Sequence, residues 1–236
     1  VNLWAEEAAS YRDEPNLLGY FLDNELRWGP DYRGSETLLY LYLHLDAEAG
    51  GKIEAVDFLL DDLGDIEAVN TFLGSDFTTR EEMLASTSDW IELARGSERA
   101  IRLTSEFLSA TAERYYSITS AAIRRNDPNH LILGSREVSI FAPIEVYRAA
   151  RPHVDVISIN NYVFLDIVRD TVLAISGAPN PDNGFAELHS EIDAPLLIGE
   201  FGFRAADSGL PNSYPPIYPV LDTQMDRATA YVEYAE

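Results

Sequence analysis

Two glutamates in this chain sit where a rigidly held carboxylate can do chemistry. Glu25 lies in LLGYFLDNELRWG and Glu200 in PLLIGEFGF, and each follows directly on a short, nearly continuous apolar run. A strand end holds a side chain on a rigid element, which precise catalysis requires. Two carboxyl groups about 5–5.5 Å apart are the equipment of a retaining glycosidase: one attacks, and the other protonates the leaving oxygen and then deprotonates water. Either glutamate alone also answers the plain need of a strand to end in something polar, so the chemistry rests on the pair. Asn24, next to Glu25, adds an amide able to donate to a sugar 2-hydroxyl, a bond that strengthens in the oxocarbenium-like transition state.

The other strand ends carry polar groups as well, reading Arg136-Glu137 and Asn160-Asn161-Tyr162. Arg136 is a candidate for binding sugar hydroxyls or orienting a catalytic glutamate through charged hydrogen bonds, with a structural ion pair as the alternative. Asn161 and Tyr162 are candidate substrate contacts. Trp28 offers a ring that can stack on the apolar face of a sugar or simply pack in the core. His130 precedes its strand and reads as a structural cap. Asp207, Ser208 and Asn212 form a polar loop that lines a subsite or makes turns. No Asp-rich calcium loop is present, so no metal is expected, and no cofactor.

The elements that must position these residues follow from the pattern of apolar residues. Four runs, Leu17 to Asp23, Leu131 to Ser135, Val154 to Ile159 and Pro195 to Gly199, are continuous rather than alternating. That is the habit of strands covered on both faces, as in parallel sheets. Ile53 to Leu63, Ser97 to Arg125 and Leu165 to Ile175 carry apolar residues three and four apart and are predicted helices; the second stops at Asn126-Asp127-Pro128-Asn129. Val1 to Glu14 reads as the tail of an amphipathic helix. Strand, helix, strand is the rhythm of an α/β fold, in which active sites gather at the carboxyl ends of the strands.

Composition narrows the partners. The 236 residues include 17 Lys and Arg against 40 Asp and Glu, a formal net charge of −23. Such a surface repels phosphate backbones and anionic headgroups, and no basic patch offsets it, so neither nucleic acid nor a membrane surface is an expected partner. No apolar run approaches the ~18 residues of a membrane span. The absence of cysteine excludes disulfides, thiolate metal sites and cysteine nucleophiles. An acidic pI near 4.3 leans towards a secreted or periplasmic setting. The chain has no G-x-G-x-x-G and no G-x-x-x-x-G-K-[ST], so a nucleotide-dependent α/β enzyme has no support.

The ordered motifs LLGYFLDNELRWG, GKIEAVDFLLDDLGDIEAVNTFLGSDFTT, DPNHLILGSR, VDVISINNY and PLLIGEFGFRAADSGLPN, taken together, resemble the clan A glycoside hydrolases. The resemblance is to the agarase-like group around the family 50 β-agarases and, more distantly, to the family 42 β-galactosidases. It implies a (β/α)₈ TIM barrel with Asn24 and Glu25 at the end of strand four, Tyr162 at the end of strand six and Glu200 at the end of strand seven. It further implies Glu25 as acid/base, Glu200 as nucleophile and the Tyr162 hydroxyl near the nucleophile. Two departures are visible: Phe72-Leu73-Gly74 stands where similar sequences often have Trp-Gly, and Gly202 follows Glu200-Phe201 where family 50 usually has His. The second bears on agar specificity and leaves the glycosidase reading untouched.

On this reading residues 1–236 are a single catalytic barrel domain, incomplete at both ends. It would hold strands four to seven with a helical insertion from Glu36 to Ser97, as an open parallel sheet that is inactive in isolation. The expected activity is retaining hydrolysis of a neutral polysaccharide or oligosaccharide, with agarose or β-galactoside chains first. The rival is a catalytically silent carbohydrate-binding relative of the same fold. Oligomeric state has no signature in the sequence.

Overall fold

Continuous apolarity does produce parallel strands here. In the computed structural model, which describes residues 2–31, 33–87, 90, 96–138, 142–166, 171–173, 184–211 and 220–235, Gly19–Tyr20 pairs in parallel with Leu131–Ile132. The ladder extends past these bounds, because Leu131 N–H donates to Leu18 O, Leu133 N–H to Tyr20 O and Leu22 N–H to Gly134 O. Ile132 O accepts from Asp155 and Val156 in turn. Ile157–Asn160 then pairs in parallel with Glu137–Val138 on one side and with Leu196–Glu200 on the other. Each of the four expected runs therefore contains a parallel strand: the first two pair with one another, the third and fourth pair with one another, and the bonds to Ile132 O join the second run to the start of the third. A further short parallel pair joins Arg204–Ala205 to Val220–Leu221.

The described residues form two compact units. One comprises Val1–Glu14, Leu26–Asn129 and Phe141–His153; the other comprises Pro15–Glu25, His130–Ile140 and Val154–Glu236. The first is helical. Its long helix, Glu98–Asn126, starts at an N-cap where the Ser97 side chain accepts from Ala100 N–H, and buries Leu103, Phe107, Leu108, Ala112 and Tyr116 on one stripe. Leu103, Phe107 or Leu108, Ala112 and Tyr116 recur about every four residues, which a 3.6-residue turn places on one face. The segment between Glu36 and Ser97 is helical as expected, in Leu38–Leu43, Gly50–Leu63, Ile66–Leu73 and Arg80–Ala85. Thr37, Asp65 and Thr79 cap three of these helices with their side chains, each cap being worth ~1 kcal/mol. The expected helix over Val1 to Glu14 is shorter, Asn2–Ala8, and ends in turns.

The second unit carries the strands. Its last helix, Gln224–Ala235, is opened by Thr223 and Asp226, whose side chains each accept the other's backbone N–H at 3.1 and 3.0 Å. This reciprocal capping satisfies two donors the helix leaves open. Ala230 and Tyr234, one turn apart, face a small cluster with Val163, Phe203 and Leu221.

One predicted helix is a strand pair instead. Within Leu165 to Ile175, Phe164–Asp166 and Thr171–Leu173 pair antiparallel; residues 167–170 and 174–175 lie outside the described set. The segment is rich in β-branched residues, Ile167, Val168, Thr171, Val172 and Ile175, which favour the pleated surface over the helix. Apolar spacings of three and four over so short a stretch do not separate the two.

The helical unit also buries a charge. Lys52 is fully buried, and its Nζ donates to Ser86 O at 2.5 Å. Burial holds its pKa below the ordinary lysine value of 10.5, against an opposing pull from Asp46. Ser86 O has a second donor in Trp90 Nε1 at 3.3 Å, so removing the amine does not orphan the carbonyl. Lys52→Met, close in volume, is expected to raise the melting temperature by roughly 2–4 °C. The unfolded chain binds this proton more tightly than the folded one, so the burial penalty is full at neutral pH and fades as pH rises towards 10.5. The gain of the Met variant over wild type should therefore narrow in melts run at increasingly alkaline pH.

Candidate active site

Glu25 and Glu200 belong to the same unit, and Arg136 contacts both: its backbone carbonyl accepts from Glu25 N–H and its guanidinium pairs with Glu200. Glu200 ends the strand Leu196–Glu200. The Tyr162 hydroxyl donates to Glu200 Oε2 at 2.8 Å, and Arg136 Nη1 lies 3.3 Å from Glu200 Oε1. Both carboxylate oxygens thus have a donor that fixes their orientation. On the neighbouring strand, Asn160 Nδ2 donates to Glu25 Oε1 at 3.0 Å and to Asn24 Oδ1 at 3.1 Å. With its oxygen so engaged, the Asn24 amide has its N–H groups left to offer a ligand.

The strand that carries Glu200 is rephased one residue before it. Ser158 pairs with Leu197 and Ile159 with Ile198, but Asn160 pairs with Glu200, leaving Gly199 as an extra residue. Without that bulge Gly199 would stand beside Asn160 and Glu200 would face the opposite side of the pleat. The bulge puts Glu200 abreast of the asparagine that holds Glu25. It also favours glycine: a Cβ at 199 would lie 3.0 Å from both Arg136 Cδ and Asn160 Oδ1, so these side chains would have to give way.

The backbone is strained at the same place. Glu25 and Arg136 have φ of +54° and +46°, a left-handed conformation uncommon for residues with a Cβ. Gly134, at φ +75°, bends the chain just ahead of Arg136 and leaves room for Ser158, whose Oγ would lie 3.2 Å from any Cβ added there. Ser158 Oγ accepts from Arg136 N–H at 2.9 Å, and Glu25 N–H donates to Arg136 O at 3.3 Å. The Arg136 guanidinium lies 5.0 Å over the Phe21 ring, a cation–π contact that holds it towards Glu200.

The structure thus brings together Asn24, Glu25, Arg136, Tyr162 and Glu200, and it corrects two expectations. Asn161 is 1% exposed; its Nδ2 donates to the Tyr234 hydroxyl at 3.0 Å, and that hydroxyl donates back to Asn161 O at 3.2 Å. It is therefore a tie to the last helix and not a substrate contact. Burial of Tyr234 pushes its hydroxyl pKa up, with the Asn161 bond opposing. Trp28 lies in the helical unit, 6% exposed, stacked on Tyr116 at 6.1 Å and edge-on to Tyr115 at 5.6 Å. A ring so enclosed has no face to offer a sugar.

Asn160, Gly199, Ser158 and Phe21 were not singled out by sequence reasoning. Alternation along a strand gave a usable signal for one of them: with Tyr162 on the site face, Asn160 shares that face and Asn161 does not. His130 sits edge-on to Tyr20 at 6.2 Å, ahead of its strand. Asp207 and Ser208 lie in a short 3₁₀ turn, Ala206–Ser208, and Asn212 is outside the described residues. Among the described residues no group of three His, Asp or Glu is disposed to hold a metal ion, and no helix is long and apolar enough to cross a membrane.

Gly199→Ala tests the bulge. The new methyl must displace Arg136 or Asn160, so the variant is expected to lose ~1–3 kcal/mol in chemical denaturation. In its crystal structure Arg136 should stand clear of Glu200, and an undisturbed ion pair would contradict this account.

No protein-family model matches the chain. Among curated proteins it is 27% identical over 233 residues to beta-agarase B and 30% identical over 234 residues to beta-agarase A, both of Vibrio sp. (strain JT0107). These alignments take in 94% and 95% of this chain but 22% of each relative. Among solved structures it superposes on an agarase, AgWH50C, with a TM-score of 0.74 at 26% identity, covering 98% of this chain and 31% of that one. An exo-beta-agarase gives 0.73 at 25% identity over 98% of this chain and 29% of that one; PfGH50B gives 0.71 at 27% over 99% and 31%. None of these relatives is a β-galactosidase. The chain is a homologue of the family 50 β-agarases, matched along almost its whole length to less than a third of the length of each.

Proposed function

We propose that the chain carries the catalytic pair of a retaining β-agarase, in residues 1–236 of a (β/α)₈ barrel domain, with Glu200 as nucleophile and Glu25 as acid/base. The observation that carries this reading is that both glutamates are held, Glu200 by the Tyr162 hydrogen bond and the Arg136 ion pair and Glu25 by the Asn160 amide. Homology to agarases supports a carbohydrate substrate of agarose type.

Glu200 attacks the anomeric carbon while Glu25 gives its proton to the departing glycosidic oxygen, and a glycosyl ester forms on Glu200. Tyr162 and Arg136 keep the attacking carboxylate aligned. Asn24 donates to the 2-hydroxyl as positive charge grows on the ring. Glu25, now a carboxylate, takes a proton from water, which attacks the ester from the face the leaving group vacated. Two inversions give net retention.

The test is a screen of full-length protein against agar-type oligosaccharides and aryl β-galactosides, with anomer analysis of the first product; retained configuration is expected. Glu200→Gly should lose hydrolysis by several orders of magnitude. With azide added, that variant should give a glycosyl azide of inverted configuration, and native retained product in its place would remove Glu200 from the nucleophile's role. Glu25→Ala should slow glycosylation far more for poor leaving groups than for good ones; equal slowing would show that Glu25 is not the acid.

A further inference from the structure

The Asn160 side chain bonds both Glu25 and Asn24 and has no part in the roles given to Glu25 and Glu200 above. Asn160 is 1% exposed, and the two N–H groups of its amide are directed at Glu25 Oε1 and Asn24 Oδ1. The orientation of the amide follows from its neighbours: turned over, its oxygen would face two acceptors. Its own Oδ1 is buried without a hydrogen-bond partner, beside the position where Gly199 lacks a Cβ. A buried, unpaired carbonyl is costly, so the value of the amide at this position lies in its donors.

Glu25 needs such a hold. Its φ of +54° is a conformation that persists only where surrounding contacts over-determine it. Asn160 donates to its carboxylate, reaching across from a strand that pairs with neither flank of Glu25 in sequence.

We propose that Asn160 is the positioning residue of the acid/base: its amide clamps Glu25 Oε1, so that Oε2 carries the proton towards the glycosidic oxygen, and it ties Asn24 to the same point. This rests on the glycosidase reading above. An oxygen that accepts an amide N–H is suited to remain the carbonyl oxygen of the acid form, which leaves its twin to bear the proton. One amide thereby sets the distance between proton donor and 2-hydroxyl donor, and misplacement of a catalytic group by ~1 Å costs about 10²-fold.

The experiment compares wild type, Asn160→Asp and Asn160→Ala in the full-length protein. Asn160→Asp keeps the shape and loses the donors; Asn160→Ala removes the group and guards against misfolding caused by the added charge. The readout is kcat/KM for two aryl glycosides, one with a dinitrophenolate and one with an alkyl-phenolate leaving group. Loss of Asn24 alignment slows both alike, whereas loss of Glu25 alignment slows only the poor leaving group. The ratio of the two is expected to widen by about 10²-fold in both variants, within the 10²–10⁴-fold that positioned proton transfer supplies. A ratio unchanged from wild type, whether the rates fall together or not at all, overturns the proposal. Crystal structures of the variants give a readout apart from turnover: Glu25 should leave its wild-type place, and a Glu25 that stays overturns the clamp. Wild type inactive on every glycoside would instead sink the glycosidase reading, and the crystal structures would still decide whether Asn160 holds Glu25.

Discussion

A parallel sheet in regular register gives each strand end one side chain on a given face, and the next residue points away. The site depends on breaking that rule once. The extra residue at Gly199 brings Glu200 abreast of Asn160, and Asn160 holds Glu25 and Asn24. One strand residue thereby bonds Glu25 through its amide and stands beside Glu200 in the backbone register. The remaining contacts follow from this placement: Arg136 passes over the space a Cβ at 199 would fill, and Tyr162, two residues beyond Asn160, reaches the other oxygen of Glu200.

Strain is stored in the same few residues. A non-glycine residue in the left-handed region costs of order 1–3 kcal/mol, sustained only where neighbours leave no alternative. Glu25 and Arg136 are both in it, and they hold one another: Glu25 N–H donates to Arg136 O, while Arg136 N–H is taken by Ser158 Oγ. Ser158 in turn packs closely against Gly134, whose positive φ also disfavours any side chain. This is a chain of constraints leading from the sheet interior to the two carboxylates, and it explains why the small residues Gly134, Ser158 and Gly199 lie beneath a site built from larger ones.

Most of this scaffold was legible in the sequence, and the parts that were not share a physical reason. Continuous apolar runs located four of the parallel strands, of which Ile157–Asn160 is buried along its whole length, but gave no sign of the two-residue strands Glu137–Val138, Arg204–Ala205 and Val220–Leu221. The glutamates and Tyr162 stood out as polar groups ending such runs. The bulge has no signature, since a glycine in a strand also serves bends and close approaches. Asn161 was preferred to Asn160 where strict alternation would have reversed the choice. Trp28 stands three residues after Glu25, yet belongs with Tyr115 and Tyr116 on the long helix, a partnership that sequence separation hides. The hairpin at Phe164–Asp166 and Thr171–Leu173 shows how weak an apolar period is when β-branched residues supply it.

Charge adds a last constraint on what such a site can accept. The chain carries a formal charge of −23, and the groups gathered around its two carboxylates are amides and a hydroxyl, with Arg136 already committed to Glu200. Neutral donors bind hydroxyls well and offer an anion little compensation for entering a negative field. Under the proposed reading, an uncharged galactan suits this surface better than a sulfated one, because a sulfated chain would bring a charge per few sugars into repulsion with no free cation among these residues to meet it. The acidity that argued in the sequence against a nucleic-acid partner would, on the same proposed reading, also sort polysaccharides by charge.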